Sequence, residues 1–394
     1  MKSLSIFVHS ASHCLTDHQS YGEGLICFSL LNGLAKRGHN IYVNAIGSDI
    51  LEKNDNLYVK NAARPLVPFD SLVSWERNYR GDQLLYSLRN EKEFDIVWYM
   101  APCGTECPSI PRALGKPLVI GPLYYGWPEN KAMLSKPRFG IGIRPLVLPF
   151  AKRGWQRTLA SASLIICSTP KHADSMQLEF PKSTTLCLPL IVEQPNNIAI
   201  SVRTASIIGQ PFNLVFVANL VPNKYPMILA QAVKKLKENG LNIRATYLGD
   251  GIERENLEKF IAQENLEDVI SLKGRVPNKD IHEYLINADL LISTSLGEPY
   301  GRNIAEAMCV GTPAVCHNSG GPAEIVENGV DGILVDELTG DSFARAIAQV
   351  YNDRDLWQSF SNKAILKSQN WTSDAILVHL ERALLNLCTK TSRQ

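Results

Sequence analysis

The chain has 394 residues, too many for one ordinary hydrophobic core and suited to two domains of roughly 150–200 residues each. Its 45% hydrophobic and 20% charged residues are the composition of a soluble globular protein. Forty Lys and Arg face 39 Asp and Glu, a formal net charge of +1, so bulk charge asks for no nucleic-acid partner.

The N-terminus, MKSLSIFVHSAS, lacks the long apolar segment of a signal peptide. No stretch reaches the ~18 consecutive apolar residues that a bilayer span needs. A cytoplasmic protein is expected. Nine cysteines at scattered spacings, several inside apolar runs, read as buried free thiols. Cys103 and Cys107 form a C-x3-C pair, but no second Cys/His pair follows at zinc-ligand spacing, so no metal site is expected.

Strand and helix signals alternate along the chain. LSIFVHS (4–10) reads as a buried strand, GLICFSLLNGLAKRGH (24–39) as a helix ending near Gly38, and NIYVNAI (40–46) as the next strand. Further short apolar runs lie at 94–101, 116–121, 162–168 and 184–190. Such runs, apolar on both faces and bounded by turns, predict a parallel sheet covered by helices. Residues 191–212 hold two prolines, paired asparagines and no clean period, which predicts a linker.

The pattern then restarts. Strands are expected at 212–219, 242–251, 269–275, 288–295, 312–319 and 331–337. Helices are expected at 226–240, 253–263, 279–287, 299–310 and 341–352, and the tail 370–390 is helical. Domain bounds of 1–195 and 205–370 follow, with 371–394 as a C-terminal helix expected to cross back to the N-terminal domain. Two doubly wound domains predict a central cleft, with ligands outside the carboxyl ends of the strands.

The segment LGEPYGRNIAEAM (296–308) carries the strongest chemical signal. A strand ends near Ser295, Gly297 permits a tight turn, and Pro299 suits the first turn of a helix. Free amides from Tyr300 to Asn303, at the positive end of the helix dipole, make an anion site, and Gly301 lets a phosphate approach. Glu298 precedes the helix, and Glu306 lies roughly 12 Å further on a regular helix. Two carboxylates flanking an anion site suit the hydroxyls on either side of a diphosphate and would repel the phosphates themselves. As ordinary helix-surface charges they would do neither.

Together with YLGDG (247–251), LKGRVPNKDIHEYLINADLLISTS (272–295), GTPAVCHNSGGPAEIVENGVDGILV (311–335) and LAKRGHNIYV (34–43), this segment resembles the E-x7-E signature of retaining glycosyltransferases of the family-four group. The similarity is close over roughly 212–340 and looser in the N-terminal half. The resemblance implies the GT-B architecture: two Rossmann-like domains facing a central cleft, the acceptor on the N-terminal side and the nucleotide sugar on the C-terminal side. It implies a nucleoside-diphosphate sugar as donor, UDP- or GDP-linked, a hydroxyl acceptor, retention at the anomeric carbon, and neither metal nor other cofactor. By the same resemblance Glu306 holds the ribose hydroxyls, Glu298 the donor sugar, and the amides of Tyr300, Gly301 and Arg302, with Asn303 beside them, the diphosphate.

Lys224 follows a strand where its ammonium can meet a phosphate. The preceding position where the family has an arginine holds Asn219, and Arg302 and Arg275 are the candidate substitutes. Gly249 and Gly251 of YLGDG, and Gly22 and Gly24 in the loop after the first strand, are further donor-side candidates. His13, His18 and Glu23 of that loop, and Tyr124, Tyr125 and Trp127 of IGPLYYGWPE (120–129), are acceptor-side candidates. The histidine that many relatives carry after strand 94–101 is absent. Residues 130–153 mix six basic residues with apolar ones and are a candidate for peripheral membrane contact, although their prolines and glycines spoil an amphipathic helix. Asp353-Arg354-Asp355 reads as a polar surface turn. Two rival readings are a non-catalytic sugar-nucleotide-binding protein and a sugar-nucleotide epimerase of similar architecture.

Overall fold

The computed structural model describes residues 2–11, 14–18, 22–45, 47–61, 70–100, 115–123, 153–154, 156–192, 210–298 and 300–391. The side chains of residues 10, 22, 23, 70–78, 390 and 391 are excepted. The chain forms two compact units. Unit 1 is Met1–Ile191 with Ser373–Gln394, and unit 2 is Val192–Thr372.

Unit 1 contains β1 (Ser5–Ser10), β2 (Cys14–Thr16), α1 (Gly22–Lys36), β3 (Asn40–Ala45), β4 (Gly47–Asp49), β5 (Leu57–Asn61), α2 (Asp70–Leu88), β6 (Ile96–Tyr99), β7 (Leu118–Leu123), β8 (Leu164–Cys167), α3 (Pro170–Glu179) and β9 (Thr184–Cys187). Seven strands form one sheet in the order β5-β3-β1-β6-β7-β8-β9, each pair parallel. β2 and β4 pair separately. All four residues of β6 and of β8 are buried, as strands covered on both faces must be. Phe7, Leu85, Val97, Tyr99 and Ile165 share one core on the α2 face.

Unit 2 contains β10 (Phe212–Val217), α4 (Pro226–Glu238), β11 (Ile243–Leu248), α5 (Arg254–Gln263), β12 (Ile270–Leu272), α6 (Asn278–Asn287), β13 (Leu290–Ser293), α7 (Arg302–Cys309), β14 (Ala314–His317), α8 (Pro322–Ile325), β15 (Gly332–Val335), α9 (Gly340–Asn352) and α10 (Arg354–Ser368). The sheet order is β12-β11-β10-β13-β14-β15, again parallel. α9 follows the i, i+4, i+7 rule, burying Phe343, Ile347 and Val350 against the sheet and α4. Each such side chain contributes about 1.5–3 kcal/mol. Thr339 caps it by accepting from the Ser342 amide at 3.2 Å.

The α/β fold with parallel sheets is therefore the expected one, and the differences are local. β2, β4, β5, α2, α3, α8 and α10 go beyond the expected elements, because they are short, polar or weakly periodic. Asp353 is exposed, as a polar surface turn should be, and its carboxylate also accepts from the Leu356 amide at 2.8 Å, capping α10. The linker segment 193–209 and the basic stretch 130–152 lie outside the described residues. No helix among the described residues is long and apolar enough to cross a membrane.

The last helix, α11 (Ser373–Thr391), belongs to unit 1. Leu377 fills the space that a Cβ on Gly33 of α1 would need. Glu381, 4% exposed, accepts from Arg37 Nε at 2.8 Å and from His39 Nε2 at 3.0 Å. The Leu4 amide donates to His39 Nδ1 at 3.0 Å, so the ring proton sits on Nε2 and points at Glu381. Burial pushes the Glu381 carboxyl up, but the hydrogen bonds from Arg37 and His39, with the charge of Arg37, outweigh it and hold it below the usual glutamate range. A carboxylate with a depressed folded-state value stabilises the fold above its ordinary pKa and loses that contribution as pH falls through the depressed value. Glu381→Ala is expected to cost about 2–3 kcal/mol at pH 7. Urea titrations of wild type and variant should show the gap closing as pH drops below the glutamate range.

Candidate functional site

In a doubly wound sheet, the crevice opens where successive strands turn to opposite sides. In unit 2 the chain moves from β10 to β11 and β12 on one side, then crosses to β13 on the other. The loops after β10 and β13 therefore flank the switch point. These are the loops that carry Lys224 and Glu298.

Lys224 ends a single 3-10 turn, Pro222–Lys224. The next residue, Tyr225, is held at φ 47° as the cap of α4, a left-handed conformation rare outside glycine. Thr294, just after β13, tethers this turn: its hydroxyl donates to the carbonyls of Lys224 at 2.6 Å and Tyr225 at 3.0 Å. The Leu296 amide donates to the Asn223 carbonyl at 3.0 Å. The two loops are thus fastened through main chain, and the Lys224 ammonium donates to the Glu298 carboxylate.

α7 starts at Arg302, three residues later than the sequence pattern suggests. Gly301 caps it at φ 98°, a conformation that ends the loop and prevents a helical turn through Tyr300. Pro299 lies outside the described residues. Tyr300 is buried, 4% exposed. The amides of Ile304 and Ala305 are satisfied by the Gly301 carbonyl, while those of Arg302 and Asn303 have no partner among the described residues. Asn303 Nδ2 donates to the Val217 carbonyl at 2.9 Å, pinning the helix start to the carboxyl end of β10. Glu306, one turn in, accepts from Arg302 Nε at 2.8 Å.

Glycine sets how closely these loops approach. A Cβ on Gly320 would sit 2.5 Å from the Glu298 carbonyl oxygen, and a Cβ on Gly321 would strike the Tyr300 backbone. The Gly321 amide donates to the Glu298 carbonyl at 2.8 Å. Ser319 Oγ receives the Gly297 amide at 3.4 Å and bonds His317 Nδ1 at 2.9 Å. Gly249 and Gly251 also permit a close approach, since a Cβ on either would strike the backbone of Ala218 or Leu220. The GDG turn is thereby packed against the loop that bears Asn219, which is exposed.

The structure brings Lys224, Glu298, Tyr300, Gly301, Arg302, Asn303 and Glu306 to one switch point. Arg275, also exposed, lines a groove of about 600 Å³ between α6 and the sheet, with Asn213, Thr246, Asp280, Glu283 and Tyr284. In unit 1, Gly22 opens α1, and Gly24 is buried in its first turn. His18 is a brace: Nδ1 bonds Asp17 at 2.8 Å, and Nε2 lies 3.4 Å from Asp49. Burial pushes the Asp17 carboxyl up, but hydrogen bonds from the Glu52 amide, His18 and the Leu51 amide outweigh it and hold the group low. His13, Tyr124, Tyr125, Trp127 and the side chain of Glu23 lie outside the described residues. Among the described residues no group of three or more His, Cys, Asp or Glu is arranged to hold a metal ion.

Sequence reasoning misses Thr294, Ser319, Gly320 and Gly321 as site residues. For the last three the signal is the S-G-G-P string (319–322), whose meaning depends on which backbone lies opposite, and Thr294 is one hydroxyl at a strand end.

Known proteins are similar to this chain in part of the sequence and in the fold. Residues 202–367 match the sequence profile described as Glycosyl transferases group 1, so the chain carries a domain of that kind. It is 26% identical over 216 residues to a D-inositol 3-phosphate glycosyltransferase of Paenarthrobacter aurescens, covering 51% of this chain and 52% of that protein. It is 32% identical over 182 residues to a putative colanic acid biosynthesis glycosyltransferase, WcaL, of Salmonella typhimurium, covering 44% and 45%. The chain thus spans about half the length of the curated relatives it matches. Among solved structures, sucrose-phosphate synthase of Thermosynechococcus elongatus superimposes with a TM-score of 0.72 at 13% identity, covering 98% of this chain and all of that one. HepE of Anabaena, in complex with UDP-glucose, gives 0.65 at 18% identity, covering 97% and 100%. The fold is that of the GT-B glycosyltransferases.

Gly320→Ala should displace the Glu298 loop, since it combines φ +64° with a backbone clash. The expected cost is about 1–3 kcal/mol of stability. Thermal unfolding and nucleotide titration of the variant check it, with affinity falling more than stability alone explains.

Proposed function

We propose that this protein is a glycosyltransferase that moves a sugar from a nucleoside-diphosphate sugar to a hydroxyl acceptor with retention at the anomeric carbon. One observation carries the reading. At the unit 2 switch point a lysine, two carboxylates and a helix start, whose Arg302 and Asn303 amides have no partner among the described residues, are brought together by side-chain and main-chain contacts. That set suits a ligand with anionic phosphates between two polyols. The group 1 domain match over 202–367 supports the transferase class. The HepE complexes with UDP and UDP-glucose make UDP-sugars the first donors to test.

In this reading Glu306 accepts from ribose hydroxyls and Glu298 from the donor sugar. Lys224 and the amides of Arg302 and Asn303 stabilise the diphosphate as it departs. The bond from the anomeric carbon to the phosphate oxygen breaks while the acceptor oxygen bonds the same face. The acceptor proton passes to the departing phosphate oxygen, so no separate base and no metal is needed. Rate enhancement rests on positioning and on charge stabilisation of the diphosphate.

Glu306→Ala is expected to weaken donor binding about tenfold, about 1.4 kcal/mol. Glu298→Ala should lower turnover about 100-fold, about 2.7 kcal/mol of barrier, with little change in donor affinity. Calorimetry and product assays with UDP-, GDP- and ADP-sugars read both, and wild-type turnover in the double variant overturns the assignment. Proton NMR of the product reports the anomeric configuration.

A second reading, donor binding without turnover, is favoured by Asn219, which is neutral beside the Lys224 loop. It predicts nucleotide-sugar binding with neither transfer nor hydrolysis.

A further inference from the structure

Both cations of the unit 2 switch point are engaged. Lys224 is paired with Glu298, and Arg302 with Glu306. These four charges sum to zero, so in this state they offer a phosphate little net attraction.

Arg302 is oddly placed for a structural residue. It is the first residue of α7, where the helix dipole disfavours a cation. Its partner lies four residues toward the C-terminus, the weaker order for an i, i+4 ion pair. The contact uses only Nε, and Nη1 and Nη2 have no partner among the described residues. Glu306 Oε2 is likewise without a partner among them. A local rule broken twice at one position points to an anion that comes from outside.

We infer that the Arg302–Glu306 pair is a coupled latch, with Arg302 the second phosphate cation of the site. The inference rests on the nucleotide-sugar reading above. A vicinal ribose diol bonding both oxygens of Glu306 displaces Arg302 Nε. The freed guanidinium, at a positive helix end and without its carboxylate, then takes a phosphate. Ribose and phosphate binding therefore assist each other, and a binding coupling of this kind is reciprocal. Arg302 makes up the charge that neutral Asn219 does not supply.

The test uses the full chain and four ligands: uridine, UDP, 2′,3′-dideoxyuridine and its diphosphate. Calorimetry gives the gain in affinity from the diphosphate in each sugar background. In the wild type the gain should be at least about fivefold larger with the ribose hydroxyls present, the lower end of typical couplings. In Arg302→Gln the two gains become equal and small. In Glu306→Gln, where the guanidinium is released without the diol, they become equal and large. Tight UDP binding with equal gains in the wild type overturns the latch and leaves the donor reading standing. Should neither UDP nor GDP nor ADP bind, the donor reading and the latch fall together. If GDP or ADP binds instead of UDP, the matching nucleoside series replaces the uridine one.

Discussion

Everything proposed for this protein depends on how closely two loops approach main chain to main chain. Gly321 donates its amide to the Glu298 carbonyl, and neither Gly320 nor Gly321 has room for a Cβ. With that contact made, Glu298 is held next to Lys224, whose own carbonyl is bound by Thr294. A side chain at either glycine would open the loop, and the carboxylate would lose its place relative to the helix start. The site is held by backbone geometry, while its charged side chains meet through single contacts that a ligand can exchange.

The same device recurs in the supporting elements. Gly249 and Gly251 let the turn after β11 lie against the loop after β10, and Asn303 reaches back to the last residue of β10. All of these contacts sit at the carboxyl ends of parallel strands, where the change of winding direction leaves a crevice. Unit 1 has the same kind of crossing, between β1 and β6. There His9 is fully buried beneath α2, with Asp82 3.0 Å from its Nε2. The C-terminal helix is clasped to unit 1 through Glu381, a buried carboxylate that keeps its charge because Arg37 and His39 meet it.

Much of the fold was legible because buried parallel strands are short, apolar and bounded by turns. β10, β11, β13 and β14 are of this kind, and their runs announced them. β5 was not legible: at the sheet edge it is half exposed and reads as polar loop. Neither was the true start of α7. Pro299 favours a helix start by local preference, but the left-handed backbone at Gly301 resets it, at a position where a Cβ would meet Ile304 and Ile325. The partner of Glu298 was equally hidden. An i, i+4 pair such as Arg302–Glu306 can be written down from spacing, whereas Lys224 and Glu298 are 74 residues apart.

The amino-acid order by itself determined the alternation of strands and helices, the two-fold repetition of that pattern, and the presence of a glutamate-bearing helix start after a strand. These are properties of local periodicity and of which residues tolerate tight turns. Only the tertiary structure decided which loops meet, which glycines lie against another backbone, that Asp353 caps a helix and His18 braces two strands, and that each carboxylate of the switch point is held by its own cation. Those outcomes depend on distances between residues far apart in the chain, set by strand order and by the close approach of one backbone to another.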